Sequence, residues 1–321
     1  MYISVIIPTY NRANILSITV NSFINQDYPK HKFEIIVADN NSTDHTKKII
    51  EELQAVSAVK IKYLFEGKQG VHFARNSAAK IASFDLLYFT DDDMVADQNL
   101  LKEIIEPFLK DEKVGSATGK VLPKWEITPP VWILKLCQNT LLSLNDMGDG
   151  LRIEDYDLGV FSCHQAMRRE AFFKSGGFNP ENTAGNWIGD GETGLNIKIK
   201  ELGYKFAYNG KSIIYHIIPP NRMTQKYLNN RLRNQGNSDS YTYYKKYKPD
   251  SIRLIFENIK KIGFFLGSVL FCIVNFLFLQ VNWRIWMARC YYFIAGFCYN
   301  LKLIKSDSWR NLVLRNNWLD E

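Results

Sequence analysis

The chain has 321 residues, 46% hydrophobic and 14% aromatic, too apolar for a disordered protein and enough for one large α/β domain or two modest ones. Its net charge of +7 is uneven, because residues 221–321 hold 16 Lys and Arg against 6 Asp and Glu while the rest is slightly acidic. Basic charge beside the most apolar stretch suits an anionic membrane surface and not nucleic acid, which would need that charge on a folded reading face.

Residues 3–7 are an apolar run ended by Pro8 with no charged leader, so they read as a strand and not as a signal peptide. Ile15, Leu16, Thr19, Val20, Phe23 and Ile24 then recur at helical spacing. Residues 33–38 are a second buried strand, and Asn40-Asn41-Ser42-Thr43 can cap a helix running to about residue 56. A strand over 59–65, a helix over 71–82, a strand over 85–89, a helix over 100–109 and an extended stretch over 114–121 follow. This alternation predicts an α/β fold with a Rossmann-like, mainly parallel sheet and helices on both faces. Such sheets bind ligands at the carboxyl ends of their strands, which singles out the loops after Ile7, Ala38 and Phe89.

Residues 123–160 are irregular, and a second lobe follows: an extended segment over 160–168, a helix to Ser175, Gly176-Gly177, a polar loop, a helix over about 191–202 and a closing strand over 212–216. Three regions are expected: 1–125, 126–240 and 250–321. Within the last, residues 262–281 carry no charge and are long enough, at about 1.5 Å per residue, to match a bilayer core of roughly 30 Å. A second apolar stretch over 283–301 contains Arg284 and Arg289. Lys260-Lys261 before the pair and Lys302, Lys305, Arg310 and Arg315 after it place both ends on the cytoplasmic side of the cell (inner) membrane. The pair reads either as a spanning hairpin or as amphipathic helices lying in the interface. Five cysteines without zinc-ligand spacing point to reduced thiols and a reducing compartment.

Asp91-Asp92-Asp93 follows an apolar strand. Crowded carboxylates persist where a cation or hydrogen-bond donors offset their charge, and their oxygens suit Mg²⁺ or Mn²⁺. Alternation along an extended segment would let Asp91 and Asp93 converge on one ligand; an acidic turn capping the next helix is the competing reading. Asp39, closing the second strand, can accept from a ribose hydroxyl or a base N–H, or cap a helix. Pro8-Thr9-Tyr10-Asn11-Arg12 lies at the same edge, and Arg75 near a helix start can meet phosphate.

The runs Val5-Ile6-Ile7-Pro8-Thr9-Tyr10-Asn11-Arg12, Val37-Ala38-Asp39-Asn40-Asn41-Ser42-Thr43-Asp44, Ala74-Arg75-Asn76 and Phe89-Thr90-Asp91-Asp92-Asp93 resemble, in order and spacing, the family-2 glycosyltransferases over roughly residues 1–220. The resemblance implies the GT-A fold and inverting transfer from a nucleotide-sugar donor to a lipid-linked or oligosaccharide acceptor. It assigns Thr9, Tyr10 and Asp39 to the nucleotide base and ribose, with Pro8, Arg12, Arg75 and Asp92 in the same donor site. Asp91 and Asp93 would form the D-x-D element, with Asp93 the main ligand of Mn²⁺ or Mg²⁺ and Asp91 nearer the ribose. Asn40 stands where many relatives carry a second Asp. The catalytic base would be Glu192 or Asp190, which Gly191 separates, so that the register of the family's Glu-Asp motif is ambiguous. His216 matches a His near the metal or diphosphate. Arg231, Arg233 and Gly236 are candidates for phosphate contact, and His164 and Gln165 for the acceptor pocket. A processive polysaccharide synthase and a non-catalytic nucleotide-sugar-binding membrane protein are the alternatives; the first would show Q-x-x-R-W and several spans.

Overall fold

The computed structural model describes residues 1–137, 139–180 and 191–320. Four strands open the chain: β1 (Ile3–Thr9), β2 (Phe33–Asp39), β3 (Lys60–Phe65) and β4 (Leu86–Thr90). They pair in parallel, with β1 between β2 and β4 and β3 outside β2. Every residue of β1, β2 and β4 is buried, as their unbroken apolar runs require when helices cover both faces. The crossover helices are α1 (Ala13–Ile24), α2 (Thr46–Val56) and α3 (Val71–Ile81).

Beyond β4 come β5 (Met94–Ala96), α4 (Leu100–Lys110), β6 (Val114–Trp125), α5 (Val131–Leu136), β7 (Leu151–Glu154), β8 (His164–Arg168), α6 (Arg169–Lys174), α7 (Glu192–Glu201) and β9 (Lys205–Ile218). One sheet runs through all nine strands in the order β3-β2-β1-β4-β8-β6-β9-β5, with β7 beside β9. Its second half is mixed. β8 lies antiparallel between β4 and β6, while β9 is parallel to β6 and antiparallel to β5 and β7. The parallel character read from the sequence is unbroken through the first four strands and returns in the β6–β9 pair, with antiparallel partners between and beyond them. No crossover helix precedes β8, so it enters the sheet from the opposite end.

Four helices close the chain: α8 (Gln225–Tyr247), α9 (Ser251–Leu277), α10 (Trp283–Lys305) and α11 (Asp307–Leu314). Among the described residues, α9 is the one helix long and apolar enough to cross a membrane, with a mean hydropathy of 1.7 over its most apolar window. α10 packs on both α8 and α9. At Gly236 of α8 a Cβ would sit 2.2 Å from the Tyr292 carbonyl of α10, so glycine is what lets these helices approach. That contact accounts for Gly236, a candidate phosphate contact from the sequence, as a packing position. The chain then returns to the turn after α6: Trp318 is 2% exposed, and its backbone N–H donates to the Gly176 carbonyl at 2.8 Å.

Candidate active site

A cleft of about 770 Å³ opens at the carboxyl ends of β1, β2 and β4, where the parallel sheet predicts a ligand. Pro8, Thr9, Tyr10, Arg12, Asn40, Arg75, Asp91, Asp92, Asp93 and Glu192 line it. The last of these comes from the second lobe, so one cleft gathers candidates from loops nearly 200 positions apart in the chain.

The three acids are neutralised by different partners. Asp92 and Asp93 sit in a turn, so the chain after β4 is not extended there, and Asp91 and Asp93 pair with different arginines. Asp91 pairs with Arg75 of α3. Asp92 and Asp93 instead share Arg12, whose Nη1 lies 2.9 Å from Asp92 Oδ1 and 3.0 Å from Asp93 Oδ2. Asp92 also accepts from Thr9 Oγ1 at 2.8 Å and is 6% exposed, which makes it an anchor between the loops after β1 and β4. Burial pushes its carboxyl up to about 6 against the opposing charge of Arg12.

Asp93 is placed differently. Arg222 Nη2 donates to its Oδ2 at 2.8 Å, and His216 Nε2 lies 3.8 Å from its Oδ1. Burial alone would raise Asp93, but the guanidinium charges of Arg222 and Arg12 beside it hold it below the usual carboxylate range. His216 Nδ1 donates to the Leu142 carbonyl at 2.9 Å, so Nε2 presents a lone pair towards Asp93, with Arg222 leaning on it. Asp93 Oδ1 is buried and accepts no hydrogen bond from the described residues. A carboxylate oxygen without a donor, facing an imidazole lone pair, is a donor pair that suits Mn²⁺ or Mg²⁺. Among the described residues no cluster of three or more His, Cys, Asp or Glu forms, so a cation here would draw its remaining ligands from substrate and water.

Asn40 and Asp39 hold the floor of the site. The Asn40 carboxamide donates to the Lys68 carbonyl at 2.6 Å and accepts from the Gly70 N–H at 2.6 Å. An Asp could not donate to that carbonyl, which explains the amide at this position. Asp39 is 2% exposed; it accepts from Ser42 N at 2.8 Å and Tyr63 Oη at 2.7 Å and lies behind the cleft wall.

Gly191 caps α7 with φ of +62°, a conformation that favours glycine, and turns Glu192 into the cleft. Burial raises the Glu192 carboxyl above its ordinary value, and Ser162 Oγ donates to it at 3.4 Å. Asp190, the other candidate base, lies outside the described residues. Arg231 lines the cleft; Arg233 does not and is exposed. His164 and Gln165 are 0% exposed inside the sheet, so the acceptor-pocket expectation passes to their neighbours Phe161 and Ser162, which do line the cleft. Sequence reasoning missed Arg222, which lies in a short 3-10 helix (Pro220–Met223) after β9; six residues beyond His216, its only sequence signal is a lone Arg.

The family model for glycosyl transferase family 2 matches residues 4–177, more than half of the chain. The chain belongs to glycosyl transferase family 2. Among curated relatives, poly(ribitol-phosphate) beta-N-acetylglucosaminyltransferase TarS of Staphylococcus aureus is 31% identical over 46% of this chain and 29% of its own length. A dolichyl N-acetyl-alpha-D-glucosaminyl phosphate 3-beta-D-2,3-diacetamido-2,3-dideoxy-beta-D-glucuronosyltransferase of Methanococcus voltae is 32% identical over 44% of this chain and 46% of its own. The match thus spans less than half of either relative. In fold, the chain resembles S. aureus TarS residues 1–349, with a TM-score of 0.51 at 20% identity over 74% of this chain and 66% of that one. It also resembles the mannosyltransferase PcManGT of Pyrobaculum calidifontis, solved with GDP-Man and Mn²⁺, with a TM-score of 0.60 at 18% identity over 93% and 86% of the two chains. The GT-A fold expected from the motifs is the fold observed, with the apolar C-terminal helix beside it.

Proposed function

We propose that this family-2 member transfers a sugar, with inversion, from a nucleotide-sugar donor to a lipid-linked or membrane-proximal saccharide. The observation that carries the reading is the pairing within one cleft of Asp93, whose Oδ1 beside His216 has no donor among the described residues, with Glu192, a carboxylate of raised pKa. Asp93 and His216 would hold a divalent cation, which when bound supplies Lewis-acid stabilisation of the leaving diphosphate. Arg75 and Arg222 are fixed guanidinium groups that can bind phosphate oxygens. Thr9, Tyr10 and Asn40 shape the end of the cleft that would take the nucleoside. Glu192 accepts the acceptor hydroxyl proton as that oxygen attacks the anomeric carbon from the face opposite the diphosphate. The metal-bound and nucleotide-sugar-bound state of PcManGT and the lipid-phosphate acceptor named for the Methanococcus relative support the reading. The C-terminal helices would bring the cleft to the membrane that carries the acceptor.

The test is hydrolysis of a panel of nucleotide sugars with and without Mn²⁺. Metal-dependent release of nucleoside diphosphate that disappears in Asp93→Ala is the expected result. A folded protein that hydrolyses and binds none of the panel in either condition overturns the proposal.

A further inference from the structure

α9 is amphipathic in the wrong sense for water. The positions it turns inward include Asn258, Lys261, Ser268 and Asn275, which are buried or half-buried, and Asn258 accepts from Asn300 of α10 at 3.0 Å. Its outward positions are apolar: Ile259, Leu266, Leu270 and Ile273 are 51–60% exposed. The turn after it continues this surface, with Phe278 72% and Leu279 91% exposed. Water rewards the opposite arrangement, and a hydrocarbon surface rewards this one.

The neighbours of α10 decide how far such a surface can enter lipid. α10 runs beside α8 along its whole length: Arg284 bonds Gln225 at the start of α8, Tyr292 meets Gly236 in the middle, and Ser240 donates to the Gly296 carbonyl beyond. α8 exposes Lys226, Arg233, Asp239 and Lys246, and it lends Arg231, Asn234, Gln235 and Ser238 to the cleft. α10 cannot cross a bilayer without dragging these charges into hydrocarbon. The exposed bases Lys248, Arg253, Lys260, Lys302 and Lys305 gather where α8 ends, α9 begins and α10 ends, while 262–281 is free of charge.

We propose that α9 and its turn dock on one leaflet of an anionic bilayer, with no segment of α8–α10 crossing it. The charged end meets the headgroups, the apolar face enters the upper acyl region, and the cleft stands two helix layers, roughly 20 Å, from the lipid. This deepens the membrane-proximal reading above and is measured without any sugar transfer, so either can fail alone.

The test is flotation of the full chain with vesicles of phosphatidylcholine, alone or mixed with phosphatidylglycerol. Binding should favour the mixed vesicles and weaken with salt. Lys260→Gln with Lys305→Gln should lower it about thirtyfold on mixed vesicles only. Leu266→Glu with Leu270→Glu should abolish it while the thermal unfolding transition is kept, since both side chains already face outward. Gln280→Cys, read against the parent chain, should stay unlabelled by an impermeant maleimide trapped inside the vesicles. Labelling from within means a spanning hairpin and overturns the proposal. So does a protein that ignores both vesicles and self-associates through the open face around Gly263 and Gly267.

Discussion

Glu192 shows how one residue's surroundings set a measurable profile. Its carboxyl is raised chiefly by burial, and a base must be ionised to accept a proton. The acid limb of kcat/KM should therefore lie above the range of an ordinary glutamate, with activity rising as pH passes the raised value. Glu192→Gln should remove the limb and lower kcat by about 10²–10⁴-fold while donor affinity is kept. A pH–rate profile with the same limb in both proteins assigns the base elsewhere. Asn40 makes a second prediction. Asn40→Asp would set a carboxylate against the Lys68 and Glu66 carbonyls that the amide now satisfies, at a cost of about 1–3 kcal/mol. Thermal unfolding should register that loss, and nucleotide affinity should fall because the loop to Gly70 is the same one that lines the cleft.

At the level of elements, the first half of the fold was legible because β1, β2 and β4 are continuous apolar runs whose period and punctuation survive in the chain. β8 was not. Its polar residues suggested a pocket wall, yet His164 accepts from Tyr88 Oη at 2.7 Å through Nδ1 and donates from Nε2 to the Ser212 carbonyl at 3.1 Å, linking β4, β8 and β9. Only the antiparallel register, which sets His164 opposite Thr90, creates those partners, and no local pattern announces it. Arg222 was missed for the same reason, since its contacts with Asp93 and His216 exist only once β9 has closed the sheet. The buried imidazole carries a stability prediction. Burial lowers its pKa from 6.5 to about 4, so the unfolded chain takes up a proton at a pH where the folded one does not. The stabilisation is complete above pH 6.5 and is lost as pH falls towards about 4, amounting to about 3 kcal/mol. Denaturant melts across that window should be flatter for His164→Gln than for the parent.

The whole molecule is tied together by contacts between its ends, and the last of them bears on catalysis. The sequence divides the chain at 125, 240 and 250, but the sheet runs on through β6 to β9, and the residues after α11 return to the turn that follows α6. Lys198 of α7 donates to the Gly177 carbonyl at 2.8 Å and to the Asn316 carbonyl at 2.9 Å. Gly176 and Gly177 have φ of +78° and +73°, and a Cβ on either would lie within 2.6 Å of the tail, so the tail and this turn are shaped for each other. Trp318 is the side chain that seals the contact, stacked under Arg315 at 4.6 Å. Because Lys198 and Glu192 share α7, the tail fixes the helix that presents the proposed base. Trp318→Ala should cost about 3–5 kcal/mol, or roughly 5–7 °C in Tm. Well below that Tm it should still lower kcat, because α7 is no longer clamped at Lys198, whereas a buried aromatic remote from α7, such as Trp309, should change Tm alone when truncated. Equal kcat in parent and Trp318→Ala at low temperature would mean that α7 holds Glu192 without help from the tail.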